Sequence, residues 1–460
     1  MTGKTERSPS PSEVGFSLLG RRNFIVGAGA VVGTGALLAA CGDDDDDEGG
    51  SSADTTAAGT AAESPATSAA SGGGEGEVTF GSNYSDAKPK EAMAAAIATS
   101  GLDVSINTVD HNTYQENFNT YIQQPDDVVC WFAGYRMRAF AAKGVVGDVS
   151  DVWANFTDMS EGFKNASTAL DGKQYFVPFY FYPWAVHYRK SVFEENGYEI
   201  PATWDDFLAL LEQMKTDGIA TPIDAANDGK WPQMGMFDMI NMRTNGYDFH
   251  VALMGGKESW TDDRVKAVFT AWKELLPYYM PDANGRTWQD AATALADGEA
   301  AVYLLGTFIT SNFDETQQDI IDDIDFFAFP SISDEFGQES VEAPIDGFMM
   351  AASPENPDGA KALLTALGGA PAIDAYIAID PSVVAANASA KTDGYNALQQ
   401  KSAELVGSAT YISQFLDRDT DPDFAANVVG TALADFLANP DSIDNILSTV
   451  EEQKATYTFE

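Results

Sequence analysis

The chain has 460 residues and a formal net charge of −44 at pH 7. An acidic balance this large excludes nucleic-acid-binding proteins, which need a basic surface. The charge is compatible with a cationic ligand, but it is also typical of a solvated surface adapted to a salty exterior, where counterions screen the self-repulsion.

The first 41 residues have the pattern of an export signal rather than of a folded domain. Arg21-Arg22 precede the uncharged run 25–40, which is shorter than the ~20 residues of a membrane span. The arginine pair favours the twin-arginine export route. The run ends in Leu38-Ala39-Ala40-Cys41-Gly42, which resembles a bacterial lipobox. This predicts a lipid on Cys41 that anchors the protein to the outer face of the cell membrane; the alternative is an uncleaved amphipathic tail or a buried cysteine.

A linker follows the leader. Residues 42–76 contain no aromatic and no basic residue, and Asp43–Asp47 form an acidic block. Such a segment cannot bury enough apolar surface to fold, so a disordered acidic tether is expected. The second of the two cysteines, Cys130, lies in an apolar strand-like run and is predicted to be a small core residue.

Strand-like and helix-like segments alternate from residue 77 onwards, which predicts α/β lobes with mostly parallel sheets. The predicted strands are 78–82, 104–109, 125–131, 300–305, 326–330 and 347–352. The predicted helices are 89–99, 114–122, 136–143 and 291–298, with one more that begins after its N-cap Thr203.

Four stretches, in their order and spacing, resemble the maltodextrin-type extracellular solute-binding proteins, known as family 1. They are 125–150, with Gly144-Val145-Val146; 172–207, with Gly172-Lys173-Gln174-Tyr175 and Thr203-Trp204-Asp205-Asp206-Phe207; 296–308, with Ala296-Asp297-Gly298-Glu299; and 346–357, with Asp346-Gly347-Phe348. Two positions depart from the family pattern: Phe308 replaces a usual Trp, and Tyr182-Pro183-Trp184 replaces an acid or amide before the first crossing.

The resemblance implies an α/β, two-lobed, periplasmic-binding-protein-like fold of type II, with a ligand cleft between the lobes and a hinge. Lobe one is expected to hold 77–187 and a segment after 347. Lobe two is expected to hold 188–345 and the C-terminal helices to 460. The crossings are predicted near His187, Asp346 and Pro381.

Ligand contacts are expected from several segments, because a sugar needs flat aromatic faces and short polar side chains. In the first lobe these are Asn83, Tyr84 and Asp86, for which an ordinary turn is the alternative, and Trp131, Tyr135 and Arg136, where core packing of Trp131 is the alternative. Tyr182 and Trp184 share one strand parity and lie nearest the expected cleft.

The second lobe and the hinge supply the other candidates. Trp231 lies in a loop where a cleft wall explains an aromatic side chain better than solvent does. Gly306 is expected to let a ligand approach the backbone closely, and Phe308 to supply a ring for stacking. The alternative is a plain strand-to-helix turn. Asp346 and Gly347 lie at the predicted hinge. There the Asp346 carboxylate is expected either to bind a ligand hydroxyl or simply to cap a backbone end.

The predicted function is a monomeric binding protein of an ABC importer that delivers a sugar or oligosaccharide to permease subunits, without catalysis, cofactor or metal. His111, His187 and His250 lack metal-ligand spacing, and no phosphate loop or nucleophile elbow occurs. One alternative keeps the fold and binds a cation such as a polyamine. The other is an anchored carbohydrate-active enzyme with a carboxylate pair.

Overall fold

The structure is a computed structural model that describes residues 76–459. Cys41, the predicted signal 1–41 and the linker up to residue 75 lie outside the described residues. No helix between residues 76 and 459 is both long and apolar enough to cross a membrane.

The strands are short and mostly buried. In chain order they are β1 (Val78–Ser82), β2 (Val104–Thr108), β3 (Val128–Phe132), β4 (Val177–Phe181), β5 (Trp184–Arg189), β6 (Ile223–Asp224), β7 (Val302–Gly306), β8 (Ile324–Phe327), β9 (Ser340–Glu342), β10 (Ile345–Met350), β11 (Val384–Ala385) and β12 (Tyr411–Ser413).

Helices alternate with these strands and then dominate the C-terminal part. They are α1 (Ala87–Ala98), α2 (His111–Tyr121), α3 (Tyr135–Ala142), α4 (Ser150–Trp153), α5 (Glu161–Ala166), α6 (Lys190–Asn196), α7 (Trp204–Thr216), α8 (Pro232–Asn245), α9 (Tyr247–Met254), α10 (Asp263–Leu275), α11 (Trp288–Asp297), α12 (Gln318–Asp323), α13 (Pro357–Leu367), α14 (Ala370–Ile377), α15 (Ala397–Ser408), α16 (Leu416–Asp419), α17 (Pro422–Phe424), α18 (Gly430–Ala438) and α19 (Ile443–Lys454).

Two sheets define two lobes. The first lobe is built on a six-stranded sheet of order β11-β4-β10-β3-β1-β2, and the second on a four-stranded sheet of order β6-β7-β5-β8. The α/β two-lobed fold is therefore confirmed. The expected mostly parallel pairing holds for β1, β2 and β3, whereas β10 runs antiparallel to β3 and β4, and β5 runs antiparallel to β7 and β8. A strand that enters a sheet from the other lobe runs opposite to the strands already there. The alternation of strands and helices along the sequence does not show this direction.

The chain changes lobe at points that differ from those predicted. β5 belongs to the second sheet, so the first crossing lies between Phe181 and Trp184, ahead of His187. β11 still belongs to the first sheet, so the last crossing follows Ala385 rather than Pro381. The crossing near Asp346 is close to the observed entry into β10 at Ile345.

Local sequence signals explain several element ends. The Thr203 side chain accepts a hydrogen bond from the Asp206 amide at the start of α7, where Asp205 and Asp206 also oppose the helix dipole. Gly144 has φ +69° just past α3, in open space. Cys130 is a buried core residue, as predicted.

Candidate ligand-binding cleft

A cavity of about 120 Å³ lies between the two lobes. It is lined by residues that follow β1, flank the β4–β5 crossing, begin α8 and α11, and belong to α16. Of the residues predicted from sequence, those that line it are Asn83, Tyr84, Asp86, Tyr182, Trp184, Trp231, Phe308 and Asp346.

The loop after β1 forms a turn and also lines the cavity, so the turn is shown and the ligand contact stays a prediction. The Tyr84 amide donates to Ser82 Oγ at 3.2 Å, which is local turn geometry. The Asn83 amide nitrogen lies 3.4 Å from Nδ1 of His111. Burial, together with the positive charges of Arg418 and Arg136, lowers the pKa of His111 to about 4, so its imidazole is neutral at pH 7.

Aromatic rings of the second lobe and of the first crossing line the cavity. The Tyr182 and Phe308 rings meet edge to face with centroids 5.1 Å apart, and Trp231 lies 6.2 Å from Phe308. Trp184 lies 6.2 Å from Trp231 at an interplanar angle of 89°. Such ring faces and edges are suited to the apolar C–H surface of a sugar.

Gly306 makes this ring packing possible without lining the cavity itself. A Cβ at Gly306 would lie 2.4 Å from the Phe308 ring and 2.8 Å from the Tyr182 ring. Other groups do approach Gly306 closely, as expected, but these groups are protein side chains and not a ligand.

Arg418 connects the hinge to α16. Its Nη1 donates to Asp346 Oδ1 at 2.7 Å and its Nη2 donates to the Tyr182 hydroxyl at 3.1 Å. Arg136 pairs with Asp417 at 3.0 Å, and all four charged side chains are at most 13% exposed. Two central carboxylates of the cavity are thus neutralised by guanidinium groups.

Two other carboxylates, Asp380 and Asp86, form no ion pair in the described structure, although the positive charge of Lys88 acts on Asp380. Asp380 is 1% exposed, and burial raises its pKa above the usual range. Its Oδ2 accepts a hydrogen bond from the Tyr376 hydroxyl at 3.3 Å. Asp86 lies at the exposed rim, where it accepts a hydrogen bond from the Gln289 amide at 3.3 Å.

Several buried polar atoms of lining residues have no hydrogen-bond partner among residues 76–459. They are Nε1 of Trp184, Oδ1 of Asp380, Oγ of Ser382, Oδ1 of Asp417 and Nε of Arg418. Leaving a buried donor or acceptor unsatisfied costs about 1–3 kcal/mol. These atoms are covered by the wall of the cavity, and Arg418 Nε and Asp417 Oδ1 lie 3.9 Å from each other.

Side chains of the two lobes touch around the cavity. Asn112 of α2 accepts from the Trp231 indole at 3.3 Å and donates to Asp228 at 3.2 Å. Asn119 donates to Asp423 at 3.0 Å, and Lys88 bonds to the Phe313 carbonyl. The structure is therefore a closed form, with the lobes joined directly over the cavity.

Trp131, Tyr135, Arg136 and Gly347 do not line this cavity, contrary to prediction. Trp131 is 3% exposed and stacks on Phe118 with centroids 3.5 Å apart, so core packing, the stated alternative, is what the structure shows. A Cβ at Gly347 would lie 2.1 Å from the Val177 carbonyl oxygen, so this glycine serves sheet packing. Tyr135 begins α3 and is half-buried.

Arg136 contacts residues that line the cavity instead of lining it itself. It holds Asp417 and donates to Gln115 Oε1 at 2.6 Å, and both of these partners line the cavity. Arg136 thus fixes the wall from behind.

Sequence reasoning missed a larger set of lining residues, mostly in the helical C-terminal part. They include His111, Gln115, Phe132, Trp288, Tyr376, Asp380, Ser382, Phe415, Asp417 and Arg418. The one local signal was Asp417-Arg418-Asp419 directly after the apolar pair Phe415-Leu416, a charge cluster beside a buried anchor. No group of His, Cys, Asp and Glu in the described part of the chain could hold a metal ion.

Comparison with known proteins gives a consistent family. The sequence model of the bacterial extracellular solute-binding proteins matches residues 81–373. An ABC transporter extracellular-binding protein of Pyrococcus horikoshii is 24% identical over 62% of this chain and 64% of its own length. A probable sugar-binding periplasmic protein of Mesorhizobium japonicum is 28% identical over 45% of this chain and 52% of its own. The chain therefore spans about half to two thirds of these curated relatives.

A solved structure gives a longer match. The bacterial solute receptor AcbH is 40% identical, with a TM-score of 0.80, over 83% of this chain and 99% of its own. AcbH has an exclusive substrate preference for β-D-galactopyranose.

Proposed function

This chain belongs to the bacterial extracellular solute-binding proteins, and from that premise we propose that it binds a sugar between its lobes and delivers it to an ABC-type importer. The observation that carries the proposal is the interlobe cavity itself, which is lined by aromatic rings together with carboxylate, amide and hydroxyl side chains. A pyranose offers hydroxyls at its edge and an apolar face, which is the chemistry that these side chains can bind.

A single sugar ring is the ligand that the cavity favours. Its volume of about 120 Å³ is small beside the ~300–1,000 Å³ of sites for drug-sized ligands. The preference of AcbH for β-D-galactopyranose supports galactose as the first candidate.

The binding mode follows from the positions of the groups. The Tyr182, Phe308 and Trp231 rings provide the apolar contact, while the lining side chains of Asp380 and Asp417 accept hydrogen bonds from hydroxyls. Asp86 lies at the rim and Asp346 is held by Arg418, so each has a smaller share in binding than the sequence suggested. No step of catalysis is proposed.

A thermal-shift panel tests the proposal. A ligand that binds only the native state raises the melting temperature by mass action. We expect the largest rise with D-galactose, smaller ones with maltose and raffinose, and none with spermidine or amino acids. The largest rise with spermidine would instead support the cationic ligand, which the unpaired Asp380 and Asp86 could serve.

The anchoring and export proposals rest on the leader alone. We propose that Cys41 carries a lipid that holds the protein on the outer face of the cell membrane, that export uses the twin-arginine route, and that the monomer docks on permease subunits. Mass spectrometry of the membrane-extracted protein tests the anchor: acylated Cys41 at the N-terminus is expected, and an unmodified Cys41 in an intact leader contradicts it.

A further inference from the structure

A strained segment carries three residues of the cavity. Phe415 has φ +113°, a conformation that is unfavourable for any residue with a side chain. Phe415, Asp417 and Arg418 all line the cavity, and the Phe415 ring lies 4.8 Å from that of Trp184. Something must hold this backbone in place.

Two carboxylates hold the backbone on either side of Phe415. Asp238 Oδ2, on α8, accepts from the Leu416 amide at 2.6 Å. Asp419 Oδ2 accepts from the Gln414 amide at 3.0 Å and from the Ser413 hydroxyl at 2.8 Å. The restraints thus bracket the strained residue.

His250, on α9, lies between these two carboxylates and is completely buried. Its Nδ1 is 3.9 Å from Asp238 Oδ1, and its Nε2 is 3.9 Å from Asp419 Oδ2. Asn241 and Ser413 contact the ring nitrogens at 3.2 Å and 3.4 Å. Burial opposes a charge on the ring, but the two carboxylates outweigh it and raise the pKa of His250.

Other charged groups face the same cluster. Glu342 on β9 is fully buried, neither of its oxygens has a hydrogen-bond partner among the described residues, and burial raises its pKa well above the usual range. Asp417 and Arg418 adjoin it from α16. Arg243 of α8 is directed to the Phe329 and Ser340 carbonyls instead. Burial also raises the pKa of Asp238, to about 8. His250 is the basic side chain placed between Asp238 and Asp419.

We infer that Asp238, His250 and Asp419 are positioning residues that hold the strained segment 413–419, and with it the ligand contacts of Phe415, Asp417 and Arg418, although none of the three lines the cavity. The inference deepens the proposed function and rests on it only for the identity of the ligand.

The sign of the pH dependence follows. A histidine whose pKa is higher in the folded than in the unfolded protein stabilises the folded state. This stabilisation is complete at a pH below the ordinary pKa of about 6.5, and it is lost as the pH rises through the folded-state pKa. Asp238 and Glu342 act in the same direction, because burial raises their pKa values in the folded protein. The segment is thus held best at neutral to mildly acidic pH and released as the pH rises.

The test uses the full chain and two readouts, from about pH 6 to about pH 9. Calorimetric titration with D-galactose gives the affinity, and hydrogen exchange gives the protection of amides 413–419 without any ligand. His250→Gln is compared with His187→Gln, since His187 is also fully buried but lies outside the cavity, with both ring nitrogens lacking a hydrogen-bond partner in the described structure.

We expect the wild-type affinity to fall about tenfold with rising pH, a change of about 1.4 kcal/mol in binding free energy. His250→Gln should bind about tenfold more weakly at the acidic end and lose the slope, whereas His187→Gln keeps it. A slope that survives in His250→Gln overturns the inference. If galactose binds at no pH, the proposed function fails, but hydrogen exchange still tests the positioning role. Protection of amides 413–419 that changes in parallel with the rest of the chain at every pH overturns that role.

Discussion

Gly134 of the first lobe lies directly against the main chain of Arg418. A Cβ at Gly134 would be 2.7 Å from the Arg418 carbonyl oxygen, and Gly134 has φ +77°. The side chain of Arg418 binds Asp346 and Tyr182 in the cavity. Closure of the lobes therefore depends on the missing side chain at Gly134.

Gly134→Ala is expected to keep the lobes from closing fully. Sugar affinity should fall by about tenfold or more, because about 1.4 kcal/mol of closure energy is enough for that change. Small-angle scattering should show no contraction on adding ligand. Gly144→Ala is the matched control, since Gly144 has φ +69° with nothing within 4 Å of an added Cβ. If Gly134→Ala and Gly144→Ala lose the same amount of sugar affinity, backbone strain alone explains the loss and the closure argument is refuted.

Trp231→Ala should weaken sugar binding by about 2 kcal/mol, or about thirtyfold, through loss of the ring beside Phe308 and of the bond to Asn112. Trp231→Phe keeps a ring and should recover most of the affinity. Melting temperatures without ligand check that both variants fold. An unchanged affinity in Trp231→Ala would remove this residue from the site.

Asp380→Asn separates a sugar from a cation as the ligand. The amide keeps an acceptor oxygen, so sugar affinity should drop by only about 1 kcal/mol. A bound polyamine would lose a charge partner and respond far more strongly, with an added sensitivity to salt. Titrations of wild type and Asp380→Asn at low and high salt distinguish the two cases; strong salt dependence of the wild-type affinity counts against the sugar.

Acid should destabilise the fold through His187. Burial lowers the pKa of His187 to about 4. The unfolded chain then binds a proton at higher pH than the folded one, so the free energy of unfolding decreases as the pH falls from about 6.5 towards about 4. Urea unfolding across this range should give a shallower slope for His187→Asn than for wild type. Identical slopes would show that His187 does not titrate in this way.

The position of Tyr182 and Trp184 was predicted from strand alternation. Both line the cavity, but Tyr182 lies in the break between β4 and β5, where no strand continues. Trp231 also lines the cavity, and its contact with a ligand stays a prediction that rests on the need of an aromatic side chain in a polar loop for a surface to pack on. These predictions depend on local periodicity and turn chemistry, which a short window of sequence contains.

Other positions depend on contacts that no short window contains. Trp131 ends β3, but α2 supplies Phe118 as its stacking partner, so the ring turns into the core. Arg418 looks like a surface residue of a helical tail, and only the tertiary fold brings it to Asp346, 72 positions earlier. The strained Phe415 has no sequence signal, since its conformation is imposed by restraints on both sides.

Calorimetric titration of the wild-type protein with D-galactose at neutral pH tests the central claim most directly. A single site per chain, with an affinity that ionic strength does not change and that spermidine does not compete for, is the predicted result. No binding of galactose or of any other saccharide, or binding of spermidine alone, would contradict the assignment of the interlobe cavity to a sugar.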